Sequence, residues 1–193
     1  MTRQPARLVE PSELRRLLHF AAGTRHPDRN QLIILLSFKA GLRACEIAGL
    51  RWQMVLASNG KIAQHLEVSK HIAKYGSGRR IPLHPELRAA LKLHHKASCK
   101  PQDGPAVESE RGGHMTARSV VNWFAQAYGA LQLSGCSSHS GRRTFITQSA
   151  RLVSKLGGSL RDVQELAGHR ALTTTEKYIV GDRDTQRRLI RLI

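Results

Sequence analysis

The stretch HSGRRTFIT, residues 139–147, sets His139 and Arg142 three residues apart at the mouth of an apolar run. On a helix that spacing puts both side chains on one face, and a helix N-terminus favours anions. An imidazole and a guanidinium aimed at one spot in a cationic chain need something anionic between them. Three other places carry matching chemistry. Glu46 follows Arg43 at i+3, where a carboxylate can hold a guanidinium in the one orientation that a bidentate phosphate contact requires. Lys74 sits at or beside a hairpin turn, from which a compact ammonium can reach a leaving oxygen. His169 follows a glycine that ends a helix, and Tyr178 stands nine residues further on, past a run of threonines. A phenol is a weak nucleophile at its ordinary pKa of about 10, so gathered positive charge and a nearby base are what it needs to attack a phosphodiester.

Each place also has an ordinary reading. Arg43 and Glu46 alone are a surface ion pair worth little, and Lys74 alone is a solvated side chain. His139 and Arg142 alone are a capping histidine and an exposed arginine. Tyr178 alone is a half-buried packing residue. Lys70, Arg79 and Arg80 flank Lys74 and read as contacts to a phosphate backbone, and Arg143 beside Arg142 reads the same way.

The composition narrows the partner. Among 193 residues Lys and Arg outnumber Asp and Glu by 31 to 14, a net charge of +17, which favours a polyanion and nucleic acid first. No long apolar span or basic amphipathic arm points to a membrane. Aromatics make up only 5% of the chain and the strand segments hold just Trp52, which argues against a module that stacks RNA bases. Cys45, Cys99 and Cys136 are odd in number and lack C-x-x-C spacing, which suits a reducing cytoplasm rather than a disulfide framework or zinc knuckle. KLHHK, residues 92–96, reads as a solvated helix face, so no metal is expected. The N-terminus lacks the apolar core of a signal peptide.

The elements that must position these residues follow from the pattern. PSELRRLLHFAA opens with Pro11 and Ser12 and spaces its leucines as a helix does. DRNQLIILLSFKAG is apolar almost all round, as a buried helix is, with Gly41 as its stop. RACEIAGL is a short helix. Segments 51–56, 62–70 and 79–83, separated by turns at Asn59-Gly60 and Tyr75–Gly78, read as three antiparallel strands. Pro85 starts PELRAALKLHHK, and 98–113 is loop. Thr116 caps ARSVVNWFAQAYGALQ. After the HSGRRTFIT helix, SLRDVQELAG ends at Gly168. The fold class is mainly α with a small three-stranded antiparallel sheet (α+β).

The ordinary readings do not hold jointly. AGLRACEIAGLRW, KYGSGRRIPL, HSGRRTF and LAGHRALTTTEKY, in that order, resemble the tyrosine recombinase (phage integrase) family over roughly residues 10–182. The resemblance implies the family's catalytic-domain fold and DNA cleavage and rejoining through a 3′-phosphotyrosyl intermediate. It makes Tyr178 the nucleophile and sets Arg43 and Arg142 on the non-bridging oxygens. Lys74 becomes the acid for the 5′-hydroxyl, with Lys70 as the alternative. His139 becomes base or proton shuttle, His169 a hydrogen-bonding group on the phosphate, and Glu46 the residue that orients Arg43. Where relatives often carry an Asp-Leu pair inside the H-x-x-R box and a histidine after its arginine, this chain has Ser140-Gly141 and Arg143.

The resemblance further implies no cofactor, no metal and no ATP, because positive charge does the metal's work and the tyrosyl ester conserves the phosphodiester energy. The partner it implies is double-stranded DNA, bound by a protein that is a monomer in solution and a tetrameric synapse on DNA. The setting is the cytoplasm, at the nucleoid of a bacterium or as part of a phage-derived element. Residues 1–9 are expected to be a short N-terminal arm. Residues 183–193 are expected to be a C-terminal helix whose apolar tip docks in cis or in trans. Relatives carry a separate N-terminal DNA-clamping domain; the short leader here is read as a naturally short recombinase or an excised catalytic domain. A non-catalytic DNA-binding regulator of the same fold and a type IB topoisomerase-like relaxing enzyme are the alternatives.

Overall fold

The computed structural model describes residues 5–73, 76–178 and 190. Eight α-helices and a two-stranded sheet make up the described chain: α1 (Pro11–Ala22), α2 (Pro27–Lys39), α3 (Ala44–Ala48), β1 (His65–Val68), β2 (Arg79–Pro82), α4 (Pro85–Ala97), α5 (Ala117–Ala130), α6 (Ser140–Val153), α7 (Leu160–Ala167) and α8 (Leu172–Glu176). Helix α2 is the axis. Residues Leu32 to Phe38 are buried on every side, and α1, α4 and α6 all pack against it, which explains why its sequence lacks a polar stripe. Helix α3 packs on α5 and α6 on α7. A second, smaller cluster of Ile146, Val163 and Ala167 joins α6 to α7, and Tyr178 packs on it. No helix among the described residues is long and apolar enough to cross a membrane.

Among the described residues the sheet has two strands rather than three. Residues 52–54 form a 3₁₀ turn, with isolated bridges from Arg51 to Pro105 and from Leu56 to Ile62. The reason is visible in the side chains: Trp52 and Val55, at i and i+3, are the buried pair, and a strand would have buried every second residue. KLHHK is likewise not a solvated face. His95 is buried with its ring 4.7 Å from that of Trp52 and its Nε2 2.9 Å from the Pro101 carbonyl. His94 lies on the same indole and meets the Ala106 carbonyl at 3.1 Å. These two histidines fasten the 98–113 loop to the core. Part of the expected N-terminal arm is also integral, since Val9 is buried and its N–H donates to Thr144 Oγ1 at 3.0 Å.

The α2–α6 contact fixes where the site can form. Gly141 lies against α2, and a Cβ there would overlap Ser37 Oγ and come within 2.8 Å of Phe38 Cδ2. The glycine therefore lets α6 approach closely enough for Arg142, one residue on, to reach the end of α2. Gly141→Ala is expected to lower stability by about 1–3 kcal/mol through overpacking. A urea titration checks this, and an unchanged midpoint would show that the helices can part without cost.

Candidate active site

Glu46 lies in the third position of α3 and is fully buried. A charge in that setting must be paired and fully hydrogen-bonded, and four donors meet it. Its Oε2 accepts from the Arg43 backbone N–H at 2.9 Å and from Arg79 Nη2 at 3.0 Å. Its Oε1 accepts from Arg43 Nη1 at 3.1 Å and from Arg79 Nη1 at 2.8 Å. Burial pushes the carboxyl pKa up. The fork from Arg79 and the donors of Arg43 outweigh that and hold it below the usual range, so Glu46 is ionised. The i+3 spacing of Arg43 and Glu46 thus gives the oriented guanidinium the sequence anticipates.

Arg79 corrects one expectation. Read as an exposed phosphate contact, its side chain is only 5% exposed. Strand alternation is the cause, because Arg79 shares the inner face of β2 with buried Ile81. Arg80 takes the outer face, where it lies exposed, 3.9 Å from Glu67. Besides its fork on Glu46, Arg79 donates from Nε to the Leu166 carbonyl at 2.9 Å.

Arg142 is buried as well. Its guanidinium donates to the Gly41 carbonyl at the end of α2 and, at 2.6 Å, to the Ala167 carbonyl at the end of α7. Ala167 is the last residue of α7, where the final carbonyls have no partner within the helix and carry partial negative charge, so its carbonyl is a natural seat for a cation. Gly41 lies two residues past the end of α2. Both helix ends are shaped for this by glycines in the left-handed region, Gly41 at φ 62° and Gly168 at φ 62°. Burial, then the neighbouring Arg43, presses the Arg142 pKa down to about 9, which still leaves it charged at neutral pH.

His169 follows the Gly168 turn. Its Nδ1 shares a 2.9 Å hydrogen bond with the hydroxyl of buried Thr175, and its ring stacks on Tyr178 with centroids 5.8 Å apart. Burial, followed by the charges of Arg142, Arg43 and Arg79, lowers its pKa to about 4, so the imidazole is neutral at physiological pH. Tyr178 is close enough to Arg142 that ionising the phenol would favour the charged guanidinium. An open groove of about 740 Å³ runs beside His169 between β2 and α7, lined by Arg80, Arg161 and Arg170 among others.

The structure therefore brings Arg43, Glu46, Arg142, His169 and Tyr178 together. His139, at the N-cap position of α6, is exposed, while Ser140, Gly141 and Arg142, which follow it, are buried. Lys70 is exposed at the end of β1. Arg143 is half-buried, with a buried Nε that has no partner among the described residues. Lys74 and the segment 183–193, save Ile190, lie outside the described residues. Among the described residues no group of three or more His, Cys, Asp or Glu could hold a metal. Two supporting residues escape the motif reading. Thr175 stands three residues before Tyr178, and Gln164, on the buried face of α7, donates to the His169 carbonyl at 2.9 Å. Helical periodicity was the available signal for both.

The sequence pattern of the phage integrase family matches residues 7–184. The chain belongs to that family. It is 32% identical over 156 residues to the tyrosine recombinase XerC of Nitrobacter winogradskyi, covering 78% of this chain and 45% of that protein. The XerC of Methylobacterium sp. (strain 4-46) is 31% identical over 169 residues, covering 83% and 49%. The chain thus spans about half the length of the curated relatives it matches. Among solved structures, a Tn1549 transposon integrase in complex with transposon right-end DNA aligns with a TM-score of 0.77 at 20% identity, over 100% of this chain and 67% of that one. The XerA recombinase gives 0.71 at 18% identity, over 100% and 66%. These likenesses establish the fold of the phage integrase catalytic domain.

The depressed His169 pKa has a thermodynamic consequence. Between pH 6.5 and about 4 the unfolded chain binds a proton that the folded chain does not, so stability rises with pH across that window. The contribution is complete above pH 6.5 and is lost as pH falls toward 4. His169→Gln should flatten the Tm-versus-pH curve in that window; an unchanged slope would show that His169 protonates normally in the fold.

Proposed function

We propose that this chain is a site-specific DNA recombinase that cleaves and rejoins double-stranded DNA through a tyrosyl ester at Tyr178. The observation that supports the reading best is the gathering of Arg43, Arg142 and neutral His169 beside the Tyr178 ring. Cations on a rigid frame stabilise the charge that develops on a pentacoordinate phosphate, and here they are fixed before DNA arrives.

In the proposed cycle the Tyr178 oxygen attacks the scissile phosphorus. An O–P bond to tyrosine forms as the bond to the 5′ oxygen breaks. Arg43 and Arg142 hold the non-bridging oxygens, and His169, neutral at working pH, adds a hydrogen bond to one of them. The phenol proton leaves by way of His139, whose exposed place at the start of α6 gives it access to solvent. Lys74, or Lys70 in its stead, protonates the departing 5′ oxygen. A 5′-hydroxyl from a partner strand then reverses the step, restoring the phosphodiester and the phenol with no ATP. Arg80 and Arg143 contact neighbouring phosphates, and the groove beside His169 carries the backbone onward. A synapse of four copies on paired sites, in the cytoplasm and at the nucleoid, completes the proposal.

A duplex nicked just beyond the cleavage position traps the intermediate, because the cleaved end is lost. The expected result is a protein–DNA adduct on a denaturing gel that forms in EDTA and disappears in Tyr178→Phe. An adduct that persists in Tyr178→Phe would move the nucleophile elsewhere. DNA binding without any adduct would favour a non-catalytic regulator, and relaxation of supercoils by lone monomers would favour a topoisomerase-like enzyme.

A further inference from the structure

The site is assembled from two halves distant in sequence. One is the turn into α3, which presents Arg43. The other is the end of α7 and the turn that follows, which presents His169 and Tyr178. Arg79 belongs to neither and bonds to both. Its two terminal nitrogens take the two oxygens of Glu46 at 2.8 and 3.0 Å, and its Nε takes the Leu166 carbonyl at 2.9 Å. Arg142 also spans the two halves, but it carries a phosphate-binding role in the proposed reaction. Arg79, nearly covered and with its donors turned inward, has no such role.

We propose, on the recombinase reading above, that Arg79 is a positioning residue that sets the distance between the phosphate-binding half and the nucleophile half of the site. A guanidinium is suited to this, because its planar fork fixes direction as well as distance, and a lysine holds only a point. The seat for it is built on both sides. Gly168 occupies the left-handed region, and a Cβ there would lie 2.9 Å from Arg79 Cδ and 3.1 Å from Nη1. The glycine therefore ends α7 and also leaves room for the arginine to lie across that end. On the other side Arg79 shares Glu46 with Arg43, so a shift of Arg79 is transmitted through one carboxylate to the guanidinium that meets DNA. Its position at the start of β2 links the same frame to the β1–β2 hairpin.

The test is Arg79→Lys, which keeps the charge and loses the fork. Three quantities are read: DNA affinity, the single-turnover rate of adduct formation on the nicked duplex, and, in DNA-free protein lacking the other two cysteines, the distance between spin labels on exposed Cys45 of α3 and on Glu165→Cys of α7. Expected are an affinity within about twofold of wild type, an adduct rate lower by on the order of 100-fold, and a shifted or broadened α3–α7 distance. An adduct rate equal to wild type would overturn the proposal. So would affinity and rate falling together, which would make Arg79 a phosphate contact. If wild-type protein forms no adduct, the recombinase reading fails by itself, and the α3–α7 distance then decides the proposal: unchanged in Arg79→Lys, it overturns it. If Arg79→Lys does not fold, Gly168→Ala displaces the same side chain with its charge and fork intact. It is expected to lower the adduct rate at unchanged affinity, and an unchanged rate overturns the proposal.

Discussion

A single buried carboxylate organises this site. Glu46 is removed from water on a helix of five residues, too short to persist by itself. Its ionised oxygens are tolerable there only because two arginines and a backbone N–H supply every donor it needs. The same bonds decide where those arginines can be. Arg43 cannot swing away without removing a donor from the buried carboxylate, and Arg79 cannot leave β2's inner face without removing the two-bond fork that pairs it. The electrostatic requirement of one residue thus becomes the geometric precision of its neighbours.

The cations could still repel one another, since Arg43, Arg79 and Arg142 share one small region. Backbone carbonyls answer part of that problem. The end of α7 offers the carbonyls of Ala167 to Arg142 and of Leu166 to Arg79, and the Gly41 carbonyl just past α2 meets Arg142 as well, with left-handed glycines at 41 and 168 turning the chain there. What remains is a positive field with fixed directions and little anion to satisfy it. Burial first, and then that field, keep His169 neutral, and the same field would attract the phosphate of the proposed reaction. Fold and chemistry meet in the same bonds: the interactions that close the ends of α2 and α7 are those that aim the reactive groups.

Much of this was legible in the sequence, and the rest was hidden for physical reasons. The helices, their proline starts and their glycine ends follow from periodicity and capping. The Arg43–Glu46 pair follows from i+3 spacing, and the gathering of His169 with Tyr178 from motif order. The third strand failed because 51–56 buries residues at i and i+3, a spacing that the β-like composition of the segment concealed. Arg79 was misplaced because a basic residue next to another basic residue reads as surface. The parity it shares with Ile81 pointed inward, but nothing local named Glu46, 33 residues away, as its partner. His94 and His95 were hidden in the same way, since the indole and carbonyls that receive them come from other segments.

The claim on which the account rests is that Glu46 and Arg79 act as one unit. A double-mutant cycle with Glu46→Gln and Arg79→Gln, read by chemical denaturation, measures it directly. Each single change should cost about 3 kcal/mol or more by stranding a buried charge, while the double change, leaving neutral amides, should cost far less than the sum. Losses that add to within about 0.5 kcal/mol would mean that the two residues stabilise the protein independently, and that the buried carboxylate does not organise the site.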